Sequence, residues 1–237
     1  GQVEHAQGHL EKAHLLYQKG LKNDPAHLPL LNNTGRLEKA RKNFHKSEAY
    51  FQKALKINPA FYYARQNLAV LYQEQRKFSR AKRIYAEVIR QQPQFADALA
   101  NLSSILEKEH ELEEAESYAT RALKISPNHR VARLTLANIA IRTEAYEEVI
   151  SLLTPLLSFP RISPMDRAVM GGKCAFAYER LGNFEMAFDF YQNSNSLLYR
   201  HYEPAMRNST LMYSPAAFRA IEHAIPEFSF TREHDDS

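Results

Sequence analysis

YYARQNLAVLYQEQRKFSRAKRIYAEVIRQQPQF, residues 62–95, is the stretch on which the reading of this chain turns. It carries two apolar patterns of helical period joined by a short polar break, and it closes on Pro93. Pro25, Pro59 and Pro127 stand at the same register, each 34 residues from the next, after the matching runs GLKNDP, ALKINP and ALKISP. The flanking stretches fall into the same frame: LPLLNNTGRLEKARKNFHKSEAYFQKALKINPAF (28–61) before it and ADALANLSSILEKEHELEEAESYATRALKISPNH (96–129) after it. A looser copy spans 130–163, and after four extra residues another spans 168–201. Upstream, only the second half of a copy is complete, from Gly8 to Pro25. A fixed period of this length is the signature of stacked supersecondary units.

The pattern inside each copy specifies how its helices pack. Gly35, Ala69, Ser103, Ala137 and Ala175 recur on the first helix, and Ala13, Ser47, Ala81, Ala115, Val149 and Ala187 on the second. Large residues recur in two further registers, Leu10, Phe44, Phe78, Leu112, Tyr146 and Phe184, then Tyr17, Phe51, Tyr85, Leu153 and Tyr191, with the small Ala119 interrupting the second. Small places facing large ones are what helices packed about 8–10 Å apart require. Each closing proline stands just past the second helix, which it cannot extend. The copy at 130–163 departs most, with Val149 and Leu156 at small places and its proline at Pro160.

Over residues 8–200 the period, the small and large places and the terminal proline resemble the tetratricopeptide repeat family. That resemblance implies an all-α solenoid of antiparallel helix pairs wound into a right-handed superhelix, with the first helices lining a concave groove. The expected organisation is a repeat array over 1–201, about five full repeats plus the truncated one, followed by a linker, a short capping helix and an acidic tail over 202–237. In that tail region Tyr213-Ser214-Pro215-Ala216-Ala217 reads as an N-cap serine with proline in the first turn, opening a helix whose stripe is Phe218, Ile221 and Ile225. Such a helix would close the open end of the array.

Composition narrows the function. Charged residues make up 24% and the formal charge is +4, with Lys and Arg interleaved with Glu along the chain, so solvated helix faces are expected rather than a nucleic-acid stripe. The single cysteine, Cys174, excludes an internal disulfide and suits a reducing, cytoplasmic setting, with a periplasm left open. No apolar run approaches the roughly 18 residues of a membrane span. The chain begins with Gly1 and reads as an excerpt, so a leader upstream stays open.

Candidate chemistry resolves into structural roles. Gly171-Gly172-Lys173 lacks a glycine at Arg167 and a hydroxyl at Cys174, so it is not a phosphate loop. The ten histidines include no metal-binding helix motif, and Glu113-Glu114 and Glu147-Glu148 have no apolar surroundings to raise a pKa. No catalytic residue, metal or cofactor is expected.

One constellation stands out. Asn33, Asn67 and Asn101 occupy one place on the first helix of three successive copies, although asparagine is a poor helix-interior residue. An amide offers both donor and acceptor, so it can pair with a peptide group of either orientation. With repeats about 10 Å apart and about 3.3 Å per extended residue, one amide per copy would hold every third residue of a bound strand. This ladder resembles the groove of the repeat array in O-linked glucosaminyl transferases, which holds extended polypeptides by their backbones. Arg36, Lys39, Tyr63, Gln66, Ser104 and Asn138 are the chief further groove positions, with Asn32, Gln73, Ala100 and Arg142 beside them, and the ladder stops at Thr135 and Lys173. The family's clamp for a terminal carboxylate is matched only by Asn67, with Asp97 where a lysine is needed.

The sequence therefore reads as a protein-interaction scaffold for a protein or peptide partner, not for nucleic acid or membrane, with self-association through the array ends open. An alternative is the substrate-recruiting part of a larger transferase. The run from Ala187 to Phe228 resembles the stretch that follows such repeats in bacterial proteins joined to a sulfotransferase domain, which places a catalytic domain beyond Ser237.

Overall fold

A computed structural model describes residues 9–160 and 162–207. Among them stand eleven helices: α1 (Leu10–Asn23), α2 (Leu28–Ala40), α3 (Phe44–Ile57), α4 (Tyr62–Glu74), α5 (Phe78–Gln91), α6 (Ala96–Lys108), α7 (Leu112–Ile125), α8 (Arg130–Arg142), α9 (Tyr146–Leu157), α10 (Pro164–Arg180) and α11 (Phe184–Arg207). No described residue is in a strand. The helix expected to open at Ser214 lies outside the described residues, as does the acidic tail.

The helices fall into two compact units that divide between Leu152 and Leu153, inside α9. In the first unit each helix packs on the next, from α1 to α8, and the first helices of successive repeats also touch, α2 on α4, α4 on α6 and α6 on α8. In the second, α10 and α11 pair. The four extra residues before the last copy are the added first turn of α10, which has 17 residues where α2, α4, α6 and α8 have 13. Ser163 caps that turn, its Oγ accepting the Asp166 N–H at 3.0 Å, with Pro164 at the first helical position.

Burial follows the small and large registers. Ala69, Ser103, Ala137 and Ala175 on the first helices are completely buried, as are Ala13, Ser47, Ala81, Ala115 and Val149 on the second. Phe51, Tyr85 and Leu153 fill the spaces between them, each worth about 1.5–3 kcal/mol of buried side chain. At Gly35 the fit leaves no room: a methyl added there would stand 2.5 Å from the Phe51 ring. Val149 and Leu156, at places usually held by small residues, are both buried. Phe184 departs from its register: Phe44, Phe78 and Leu112 pack against the core, whereas Phe184 is 70% exposed.

Every turn from a first to a second helix is built alike. Lys42, Arg76, His110, Glu144 and Gly182 adopt the left-handed conformation, with φ between 58° and 76°. In the first of these turns Lys42 N–H donates to the Lys39 carbonyl and Asn43 N–H to that of Glu38, and the same pair of bonds recurs in the others. This is the Schellman closure of a helix C-terminus, and it requires only three residues to reverse the chain.

Candidate functional site

The nine chief groove residues all lie in the first unit, on its first helices: Asn33, Arg36 and Lys39 on α2, Tyr63, Gln66 and Asn67 on α4, Asn101 and Ser104 on α6, and Asn138 on α8. Because α2, α4, α6 and α8 touch in sequence, these residues share one continuous helical layer. Arg36 and Tyr63 are exposed, and the other seven are half-buried.

The layer is stitched by polar links from each first helix to the next. Asn67 Nδ2 donates to Asn32 Oδ1 at 2.8 Å, and Lys39 forms an ion pair with Glu74. Arg142 Nη2 donates to Glu107 Oε1 at 3.0 Å, and Asn138 Nδ2 approaches Glu107 Oε2 at 3.4 Å. Asn32, Lys39 and Glu107 each reach a partner 35 residues on, one repeat and one residue further. Near the N-terminal ends of the helices Asp97 Oδ1 stands 2.8 Å from His129 Nε2, while His129 Nδ1 accepts the Ala132 N–H as the N-cap of α8. With Nδ1 the acceptor, Nε2 carries the proton that Asp97 receives. The hydrogen bond from His129 and a smaller one from Gln66 hold the Asp97 carboxyl below its ordinary range against its partial burial. Asp97 is thus an anion at the exposed end of the layer, tied to α8 through His129, at the place where the resemblance would have required a lysine for a carboxylate clamp.

These links spend part of the amide set and leave part. Asn67 gives one N–H to Asn32 and keeps its Oδ1 uncommitted. Asn33 and Asn101 make no side-chain hydrogen bond within the described layer. At the edge of the layer the rings of Phe61, Tyr62, Tyr63 and Phe95 cluster, with Tyr62 and Tyr63 centroids 4.2 Å apart and Tyr63 49% exposed. Glu74, Glu107 and His129 were not read from the sequence as members of the layer. The signal that finds them is the complementary pair at a spacing of 35, which a search at 34 alone passes over.

Other candidates take structural places. Gly171 and Gly172 lie within α10, and a methyl on Gly171 would stand 2.4 Å from Ser194 Oγ on α11, so this glycine serves a close helix approach. Cys174 is fully buried, and burial pushes its thiol up to about 11, well away from a reactive thiolate. Among the described residues no group of three or more His, Cys, Asp or Glu could hold a metal, and no helix is long and apolar enough to cross a membrane. In the second unit α11 exposes Phe184, Phe188 and Tyr199 along one face.

Sequence models of the tetratricopeptide repeat match residues 28–61, 50–83, 67–130 and 106–159, which together run unbroken over more than half of the chain. The chain belongs to the tetratricopeptide repeat family. The matches end before the Ala187–Phe228 stretch. No curated protein matches the chain. Among solved structures it is similar to a tetratricopeptide repeat protein from Parabacteroides merdae, at 16% identity and a TM-score of 0.63 over 94% of each chain. It is also similar to a chain of the APC/C hetero-tetramer Cut9-Hcn1, at 15% identity and a TM-score of 0.74, covering 82% of this chain and 38% of that one. A third is YrrB, described as a TPR protein with an unusual peptide-binding site, at 19% identity and a TM-score of 0.50, covering 76% and 91%. At these identities the likeness establishes the fold.

Proposed function

We propose that this chain is a protein-interaction scaffold whose first-helix layer binds an extended polypeptide segment. The observation that carries this reading is the placement of Asn33, Asn67 and Asn101 at one register of three touching helices, with Asn33, Asn101 and the Asn67 carbonyl uncommitted among the described residues. Half-buried amides with unused donors and acceptors suit a backbone whose N–H and C=O groups alternate, and they ask nothing of the partner's side chains. Arg36, exposed on the same layer, favours a partner with a carboxylate near that point. Family membership supports the same class of function, and the peptide-binding site named for YrrB is compatible with it.

The test is a phage-displayed library of unstructured peptides selected against the chain, followed by calorimetry with the selected peptide. Asn33→Ala, Asn67→Ala and Asn101→Ala combined should weaken binding at least tenfold, since each lost hydrogen bond is worth about 0.5–1.5 kcal/mol, while the helical circular dichroism stays intact. Unchanged affinity in that variant discards the amide role.

A further inference from the structure

We infer that the outward face of the second helices α3 and α5 is a separate docking site for a short acidic polypeptide segment. Along the sequence Lys and Arg alternate with Glu, but folding separates them. Lys46, Lys53 and Lys56 on α3, and Arg80, Arg83 and Arg90 on α5, are all exposed. The only carboxylates on these two helices are engaged: Glu48 accepts the Tyr72 hydroxyl at 2.7 Å, and Glu87 pairs with Arg65 at 2.8 Å. Lys46, Lys53, Lys56, Arg83 and Arg90 have no carboxylate partner among the described residues. Tyr72 ties the two helices together, giving its hydroxyl to Glu48 on one and its ring to Arg80 on the other, 5.7 Å from the centroid.

The placement of the charges argues against a merely solvated face. Lys56 and Arg90 sit in last turns, where a cation complements the helix dipole. Lys46 and Arg80 sit in first turns, where the dipole disfavours a cation, and neither helix has an acidic residue there. The helices α7 and α9 follow the favoured rule with Glu113, Glu114, Glu147 and Glu148. Two adjacent repeats therefore forgo a stabilising charge and keep a repelling one, on the same face.

The boundary of the patch selects its occupant. At the α5–α7 border Lys82 pairs with Glu109 and Glu111, and beyond it Glu113, Glu114 and Glu116 are exposed on α7. A nucleic acid continuing along the row, or an anionic bilayer laid across it, would meet those carboxylates. No exposed Phe or Tyr stands on either helix to stack a base, and Ile57 at the end of α3 is the one large apolar side chain exposed on them, too little to hold a bilayer. From Lys46 to Lys56 the helix rises about 15 Å, enough for an acidic stretch of roughly five extended residues.

The test uses fluorescein-labelled octaglutamate with the full chain, beside a twenty-nucleotide oligothymidylate and phosphatidylcholine vesicles containing phosphatidylserine. Octaglutamate should bind and weaken with salt. Lys53→Glu, Arg83→Glu and Arg90→Glu combined should raise its Kd at least tenfold, while the reversal of Lys108, Arg180 and Arg200, exposed cations on α6, α10 and α11 and equal in net charge, should have a clearly smaller effect. Combined alanines at Asn33, Asn67 and Asn101 should leave it unchanged, which separates this site from the first-helix layer. Absence of octaglutamate binding, equal loss in both reversals, or tighter binding of the oligonucleotide or the vesicles overturns the inference.

Discussion

Asn67 Nδ2 donates to Asn32 Oδ1 at 2.8 Å across the α2–α4 contact, so one member of the amide series is also a strut between repeats. Asn32 is 9% exposed, and losing its partner leaves a buried acceptor unsatisfied. Asn67→Ala should therefore destabilise the first unit by about 1–2 kcal/mol, and Asn32→Ala by a similar amount. The double variant should cost less than the sum, with a coupling of about 0.5–1.5 kcal/mol in urea denaturation. Strict additivity would mean the bond contributes nothing to stability.

Two glycines in helices should respond in opposite directions to alanine. At Gly35 the added methyl meets the completely buried Phe51 ring, which has nowhere to move, so Gly35→Ala should destabilise by about 1–3 kcal/mol despite its better helix propensity. At Gly172 nothing lies within 4 Å, and Gly172→Ala should stabilise by about 0.5–1 kcal/mol. Thermal unfolding of the two variants checks both signs.

The turns make a third pair. Glu144 holds a φ of 59° with a side chain, whereas Gly182 holds 76° without one. Glu144→Gly should raise Tm by relieving about 1 kcal/mol of left-handed strain, and Gly182→Ala should lower it by a comparable amount. Equal shifts of the same sign in calorimetric scans would contradict the Schellman reading of these turns.

Acid should loosen the α6–α8 contact at Asp97. Its folded-state pKa lies below the ordinary value, chiefly through the His129 hydrogen bond, so the stability it contributes is fully present above about pH 4 and is lost as pH falls through the folded value. Asp97 is more than half exposed, so the contribution is at most about 1 kcal/mol. Asp97→Asn should flatten the stability profile between about pH 5 and pH 2, measured by urea titration at each pH. An unchanged slope would remove Asp97 from the account.

Much of the fold was legible because packing repeats with the chain. Gly35, Ala69, Ser103 and Ala137 recur at a spacing of 34 since each must admit the same neighbour, and a single sequence displays that directly. The turn residues were less legible: Lys42, Arg76, His110 and Glu144 occupy left-handed positions where glycine would have announced them, and only Gly182 does. The site was legible in part. The register of Asn33, Asn67 and Asn101 is a sequence property, but the links of Asn32, Lys39 and Glu107 run at a spacing of 35, because side chains lean between helices rather than along them. Charge segregation was hidden altogether, since Glu48 and Glu87 stand among the cations in sequence and are withdrawn from them by Tyr72 and Arg65 only in the folded chain.

The most direct measurement is nitrogen-15 NMR of the side-chain amides while the library-selected peptide is titrated in. The account predicts that the Asn33, Asn67 and Asn101 amide signals shift together in proportion to bound peptide, with those of Gln52 on α3 and Gln91 on α5 unmoved. Shifts confined to Gln52 and Gln91, with the three asparagines unchanged, would contradict it.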